Sequence, residues 1–140
     1  MSALRRMNLG DLVALLVSEH AQMKKGLDQV RKAVETGDYA AASTSLAALE
    51  RVFQQHIADE EGQILRILLD AYGVKGAEDA IKVFQQHRPI YSLMERIKQL
   101  ASLPPPKLAA AQDELQALFD QHTAAEEDGV FPRAVSAPRR

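Results

Sequence analysis

The chain has 140 residues, of which 46% are apolar, with a formal net charge of −2 and no cysteine. This length suits one domain with one core, and the charge does not favour a nucleic-acid partner, which needs a basic face. The lack of cysteine excludes disulfides, thiolate metal sites and cysteine nucleophiles, so any metal ion must be held by nitrogen and oxygen ligands.

Strong helix breakers divide the sequence into four helical segments, at about 9–36, 38–72, 77–102 and 107–128. Gly37, Gly73, three consecutive prolines from Pro104 and Gly129 separate or end these segments, and Pro89 predicts a kink inside the third. Short connections make neighbouring helices antiparallel. The prediction is an all-α, up-down-up-down four-helix bundle over residues 1–132, followed by a flexible tail at 133–140.

Each predicted helix has an apolar seam with a spacing of three and four residues, and each seam contains one histidine. These four are the only histidines in the chain. A strict seam takes about two positions in seven, so chance would place all four there on the order of one time in a hundred. A single histidine in such a seam is ordinary core, whereas four predict a shared site, formed by His20, His56, His87 and His122.

The positions of these histidines along their helices predict one common height. His20 and His56 lie at nearly equal distances along the chain on either side of Gly37. His87 and His122 lie at nearly equal distances on either side of Pro105. Because an α-helix rises by about 1.5 Å per residue, the four side chains are predicted to occupy one layer.

Two of the helices add a carboxylate one turn after the histidine, as His56-x-x-x-Glu60 and His122-x-x-x-Glu126. Residues four apart point the same way from a helix, and a buried glutamate needs a cation nearby. Two metal ions would satisfy both carboxylates and all four imidazoles.

A phenylalanine precedes three of the histidines by one helical turn: Phe53, Phe84 and Phe119. They are either ordinary core residues or the roof of the metal site that limits the entry of water, and the two roles are compatible.

The ordered pattern H…HxxxE…H…HxxxE, with FQQHIADEE and HTAAEEDGVFP around the two HxxxE motifs, resembles the hemerythrin-like (HHE cation-binding) domains of bacterial type. The resemblance covers nearly the whole chain. It implies a non-haem centre of two iron ions, bridged by the two glutamates and by oxide or hydroxide. It also implies a small oxidant such as O2, H2O2 or NO as the partner. Zinc or manganese would suit the same nitrogen and oxygen ligands.

The sequence departs from the oxygen-carrying hemerythrins on the third helix, where His87-x-x-x-Tyr91 replaces His-x-x-x-His. Tyr91 is therefore a candidate ligand, a candidate proton donor, or a core aromatic residue. The oxygen carriers also space the last carboxylate differently, which makes Glu127 the alternative to Glu126. We prefer Glu126, because it shares the seam with His122.

Three functions fit these residues: turnover of peroxide or a related oxidant, reversible binding or sensing of oxygen or iron, and a metal-stabilised structural bundle. A ferritin-like oxidase fits less well, because such sites are rich in carboxylates. The sequence does not identify a catalytic residue. With no apolar stretch near the ~20 residues of a membrane span and no signal peptide, we expect a cytoplasmic protein without membrane association.

Overall fold

The computed structural model describes residues 8–99 and 104–137, and this part of the chain is helical without a strand. The four predicted segments are present and form a four-helix bundle, but three of them are built from shorter pieces. These are α1 (Leu9–Glu35); α2 (Tyr39–Asp59), a first π turn (Glu60–Ile64) and α3 (Leu65–Gly76); α4 (Glu78–Gln85) and α5 (His87–Lys98); and α6 (Pro105–Ala125), a second π turn (Glu126–Val130) and α7 (Phe131–Val135).

Capping residues define the start of the first helix and the first connection. The side chain of Asn8 accepts a hydrogen bond from the backbone N–H of Asp11 at the start of α1. Gly37 follows α1 with a φ of 76°, a conformation that glycine adopts without steric cost. Asp38 then caps α2 by accepting from the N–H of Ala41 at 3.0 Å. Segments one and two are therefore joined by a tight turn.

The kink predicted at Pro89 is a break in the third segment, slightly earlier in the chain. Gln86 separates α4 from α5, and its N–H bonds to the carbonyl of Val83 rather than one residue further back. A proline in a helix excludes the carbonyl four residues before it, so Pro89 is accommodated in the first turn of a new helix. The break places His87 at the start of α5.

The prediction that the fourth helix stops at Gly129 is wrong. A π turn carries the chain through Gly129, with the N–H of Phe131 bonded to the carbonyl of Glu126, and α7 continues to Val135. Phe131 and Ala134 are buried, and their burial favours the continued helix. Helical structure therefore extends into the predicted tail 133–140, of which residues 138–140 lie outside the described part.

Both π turns change which residues face the core. An α-helical seam from Glu60 predicts Ile64 and Ile67, but Leu68 is fully buried and Ile67 only partly. The wider turn lengthens the repeat, so buried residues follow one another every four positions. The second π turn has the same effect from His122 to Ala134.

In residues 8–99 and 104–137, the buried apolar side chains form two clusters. One contains Met23, Leu27, Phe53 and Ile90, among others. The other contains Leu12, Leu16, Ile64 and Phe131, among others. Along each segment the histidine lies between the residues of the two clusters, so that a polar layer is enclosed by apolar packing on both sides. No described helix is long and apolar enough to cross a membrane.

Candidate metal centre

The four histidine rings occupy this polar layer and are all buried. The ring centroids of His20 and His56 are 4.6 Å apart, and those of His87 and His122 are 4.8 Å apart. The four helices thus bring their histidines to one height, as their positions in the sequence predicted.

Glu60 lies between two of these rings. Its Oε1 is 3.2 Å from Nε2 of His56 and 3.1 Å from Nε2 of His87. His56 is on the same helical segment one turn earlier, whereas His87 comes from the next segment. Glu60 therefore connects the second and third segments through two imidazole nitrogens.

Glu126 has the same arrangement on the fourth segment. Its Oε1 is 2.9 Å from Nε2 of His20 and 3.3 Å from Nε2 of His122. Nε2 of His20 is also 3.0 Å from Nε2 of His56. Every histidine thus directs Nε2 toward the centre of the layer.

The inward atoms form two overlapping groups that share both glutamates. In each group the ligand atoms lie within 4.8 Å of one another, and every member is buried. One group is His20, His56, Glu60 and Glu126, and the other is Glu60, His87, His122 and Glu126. Each group thus offers two imidazole nitrogens and two carboxylates to a metal ion.

The buried carboxylates of this layer need a positive charge nearby. Glu60 and Glu126 are completely buried, and in the described part of the chain their ion pairs are all with histidines. Oε2 of each glutamate and Nε2 of His122 are buried without a hydrogen-bond partner. Leaving such atoms unpaired is costly, and metal ions would use these lone pairs.

Burial and neighbouring charges shift the pKa values of several groups in this layer. Burial, together with nearby Glu126, raises the pKa of Glu60 well above its usual range. Burial, followed by the charge of His122, lowers the pKa of His87 to about 3. Burial opposes charging of His56 as well, but Glu60, Glu126 and Glu19 raise its pKa well above the usual value.

Glu126 responds in the opposite direction from Glu60. Burial opposes its ionisation, but hydrogen bonds with Glu60 and with three histidines hold its pKa well below the usual range. The pKa values of the two carboxyls are therefore shifted in opposite directions, as is common for a coupled pair. Metal binding would require both carboxylates to be ionised.

The outward nitrogens of three rings have partners as well. Nδ1 of His20 donates to Oε2 of Glu127 at 2.7 Å, and Nδ1 of His56 donates to Oε1 of Glu19 at 3.0 Å. Nδ1 of His122 donates to the amide oxygen of Gln86 at 2.9 Å. Such outer hydrogen bonds fix the tautomer that leaves Nε2 free for a metal ion.

These contacts distinguish the two candidate carboxylates of the fourth segment. Glu126 points into the layer, whereas Glu127 is 38% exposed and contacts the outer face of His20. Sequence reasoning did not identify Glu19 or Gln86. Each immediately precedes a seam histidine, namely His20 or His87, and that position is the signal that would have revealed them.

The phenylalanines lie around the histidines, but a phenylalanine does not always contact the histidine that follows it in the sequence. Phe84 stacks on His87 at 5.6 Å, Phe53 meets His87 edge-on at 5.8 Å, and Phe119 meets His20 edge-on at 6.4 Å. The fourth phenylalanine, Phe131, stacks on His20 at 5.7 Å and was missed because the helix was predicted to end before it.

Tyr91 lies one turn after His87 and contacts Phe53, with ring centroids 4.9 Å apart. Burial, followed by the charge of Glu50, raises the pKa of Tyr91, although a hydrogen bond with the side chain of Gln54 lowers it in part. Burial and the charge of Glu50 therefore favour the protonated phenol. Tyr91 also lines a surface cleft of about 730 Å³ that reaches His87.

Comparison with known proteins identifies the family. The sequence model of the hemerythrin HHE cation binding domain matches residues 11–86. The chain therefore belongs to the hemerythrin HHE cation binding family, and it contains a metal-binding module. The match covers His20, His56 and Glu60, while the fold brings in His87, His122 and Glu126. No curated protein and no solved structure matches the chain.

Proposed function

We propose that this protein is a non-haem di-iron protein that acts on small oxidants, with hydrogen peroxide as the main candidate and O2 or NO as related ones. The single observation that carries the proposal is that two buried groups of ligands share both glutamates. The proposed ligands are His20, His56, Glu60, His87, His122 and Glu126.

The spacing of the inward atoms is compatible with both a six-coordinate and a tetrahedral ion. Ligands about 2.1 Å from an ion lie about 3.0 Å apart at right angles and about 3.4 Å apart at a tetrahedral angle. The distances from Nε2 of His20 to Nε2 of His56 and to Oε1 of Glu126 are 3.0 and 2.9 Å. Two distances from Oε1 of Glu60 are 3.1 and 3.2 Å. Three of these four contacts are closer to the octahedral value. The distances from Oε1 of Glu126 to Nε2 of His122 and of His56, 3.3 and 3.7 Å, are closer to the tetrahedral one. The proposal of iron therefore rests on the family and not on these distances.

The surrounding residues suit chemistry on a small molecule. Bound iron would supply one-electron redox steps, and decomposition of peroxide converts two molecules into two of water and one of dioxygen. The apolar clusters and the phenylalanines limit water around the layer. Tyr91, whose raised pKa keeps its proton, is the proposed proton donor, because it lines the cleft that reaches His87.

The first experiment is metal analysis of the purified protein, together with an optical spectrum and an assay of peroxide decomposition. We expect about two irons per chain and evolution of dioxygen. Zinc in place of iron would refute the redox function. Two irons with reversible oxygen binding and no peroxide turnover would support the carrier or sensor function instead.

Two adjacent substitutions test the ligand set. Glu126→Gln should lose much of the metal, because Glu126 points into the layer. Glu127→Gln should weaken metal binding less and should retain metal when iron is supplied in excess, because the amide oxygen can still accept from Nδ1 of His20. The reverse ranking would exchange the roles of these two residues.

A further inference from the structure

The metal layer has an approximate two-fold symmetry within a single chain. On one side Glu60 and Glu61 approach the inner and outer nitrogens of His87, at 3.1 and 3.7 Å. On the other side two consecutive glutamates do the same for His20, at 2.9 and 2.7 Å. The corresponding pairs are His20 and His87, Glu19 and Gln86, His56 and His122, Glu60 and Glu126, and Glu61 and Glu127.

The symmetry is broken in the charge around the outer nitrogens. On the side of His20 and His56, which we call the closed half, both Nδ1 atoms donate to carboxylates, at 2.7 and 3.0 Å. On the side of His87 and His122, the open half, Nδ1 of His122 donates to the neutral amide of Gln86. Nδ1 of His87 is buried without a hydrogen-bond partner.

The symmetry is also broken in access. The cleft of about 730 Å³ lies against the open half and is lined by His87 together with Ile57, Glu61, Arg88 and Ser92. One turn before His87 is Phe84, which stacks on that ring. The equivalent residue before His20 is Val17, which is 38% exposed, and there Phe131 of α7 covers the ring instead.

The geometry points to two unequal metal positions: a tight one in the closed half, and a labile one in the open half that receives small ligands through the cleft. This inference rests on the proposed function. A carboxylate that accepts from Nδ1 raises the basicity of the ligating imidazole, and loss of such a partner commonly costs about 10–100-fold in metal affinity. The closed half has two such carboxylates at hydrogen-bonding distance, and the described part of the open half has none.

Titration of the metal-free chain with Fe²⁺ alone, without oxygen and against a competing chelator, tests the inequality. We expect two steps of different affinity. Glu19→Gln should weaken the first, tight step by about 10–100-fold. Gln86→Glu should instead strengthen the second step and bring the two closer together. The double variant, with Glu19→Gln and Gln86→Glu together, should partly reverse the difference in affinity between the two steps. It has the same amino-acid composition as the unmodified chain and serves as the control for a loss of fold.

Azide binding to the metal-loaded protein, followed by its optical spectrum, tests the route of access. Ser92→Trp narrows the cleft and should slow azide association several-fold with the metal content unchanged. Val17→Trp is the matched control, because Val17 is a partly exposed residue on α1 beside the closed half. It should leave the association rate near that of the unmodified protein.

Unequal steps that respond to Glu19→Gln and Gln86→Glu as described, with azide slowed by Ser92→Trp alone, support the inference. Two equal steps, a weaker second step in Glu19→Gln, or azide slowed by Val17→Trp would overturn it while leaving the di-iron site intact. Failure of the unmodified chain to bind metal at all would refute the proposed function itself.

Discussion

The metal-free protein is expected to lose stability in mild acid because of one residue, His87. Its ring is stacked against Phe84 and lies edge-on to Phe53, and burial lowers its pKa to about 3 in the folded state. In the unfolded chain the pKa of a histidine is about 6.5. Between about pH 3 and pH 6.5, His87 therefore binds a proton in the unfolded state but not in the folded state.

The sign and size of the effect follow from that difference. A lowered folded pKa stabilises the protein above about pH 6.5, and this stabilisation is lost as the pH falls toward 3. The maximum slope is about 1.4 kcal/mol per pH unit. Between pH 7 and pH 5, His87 should therefore lower the free energy of unfolding by about 2 kcal/mol. That is a large part of the roughly 5–15 kcal/mol of a typical domain.

Urea unfolding of the EDTA-treated protein, followed by circular dichroism at the two pH values, measures this change. His87→Gln is the comparison, because glutamine does not titrate but can still donate to Glu60. The other groups, including His56 with its raised pKa, are common to both proteins. The difference between the losses of the two proteins therefore belongs to His87. Equal losses in both proteins would refute the reasoning.

Three further substitutions test other parts of the structure. Phe131→Ala should lower the free energy of unfolding by about 3–5 kcal/mol, because it empties a buried ring site beside His20, whereas Val135→Ala, at an exposed position of the same helix, should cost little. Both are measured by urea unfolding. Tyr91→Phe should slow peroxide decomposition without loss of metal, and an unchanged rate would remove Tyr91 as proton donor. Gly73→Ala should cost about 1 kcal/mol or more in thermal unfolding, because its φ is 74°. Gly129→Ala should cost less, since Gly129 is helical and an added Cβ meets nothing within 4 Å.

The common height of the histidines could be predicted because it depends on chain position alone. Gly37 is a fixed point from which His20 and His56 are nearly equidistant, and the rise per residue of a helix hardly varies with sequence. The seam also identified Glu126 as the inward residue of its pair, because the position of a side chain relative to His122 is a local property of the helix.

The outer contacts could not be predicted in this way. Glu19 and Gln86 are next to the seam, about 100° around their helices, and whether such a residue reaches a neighbouring ring depends on the rotation and spacing of two helices. Phe131 was missed for a different reason. A glycine followed closely by a proline normally ends a helix, whereas here the wider π turn carries the chain past Gly129, and Pro132 lies in the first turn of α7.

The two π turns explain how one helical segment serves both the metal layer and the core. Each begins at the glutamate of an HxxxE motif, and π turns often occur at functional sites. In a regular α-helix, a residue eight positions after His122 has rotated about 80° from it, which would carry Val130 away from the bundle axis. The longer turn reduces this rotation, so that His122, Glu126, Val130 and Ala134 all remain buried. The same spacing of four holds for His56, Glu60, Ile64 and Leu68. A carboxylate ligand can thus follow its histidine by one turn while the apolar packing beyond it closes that side of the layer.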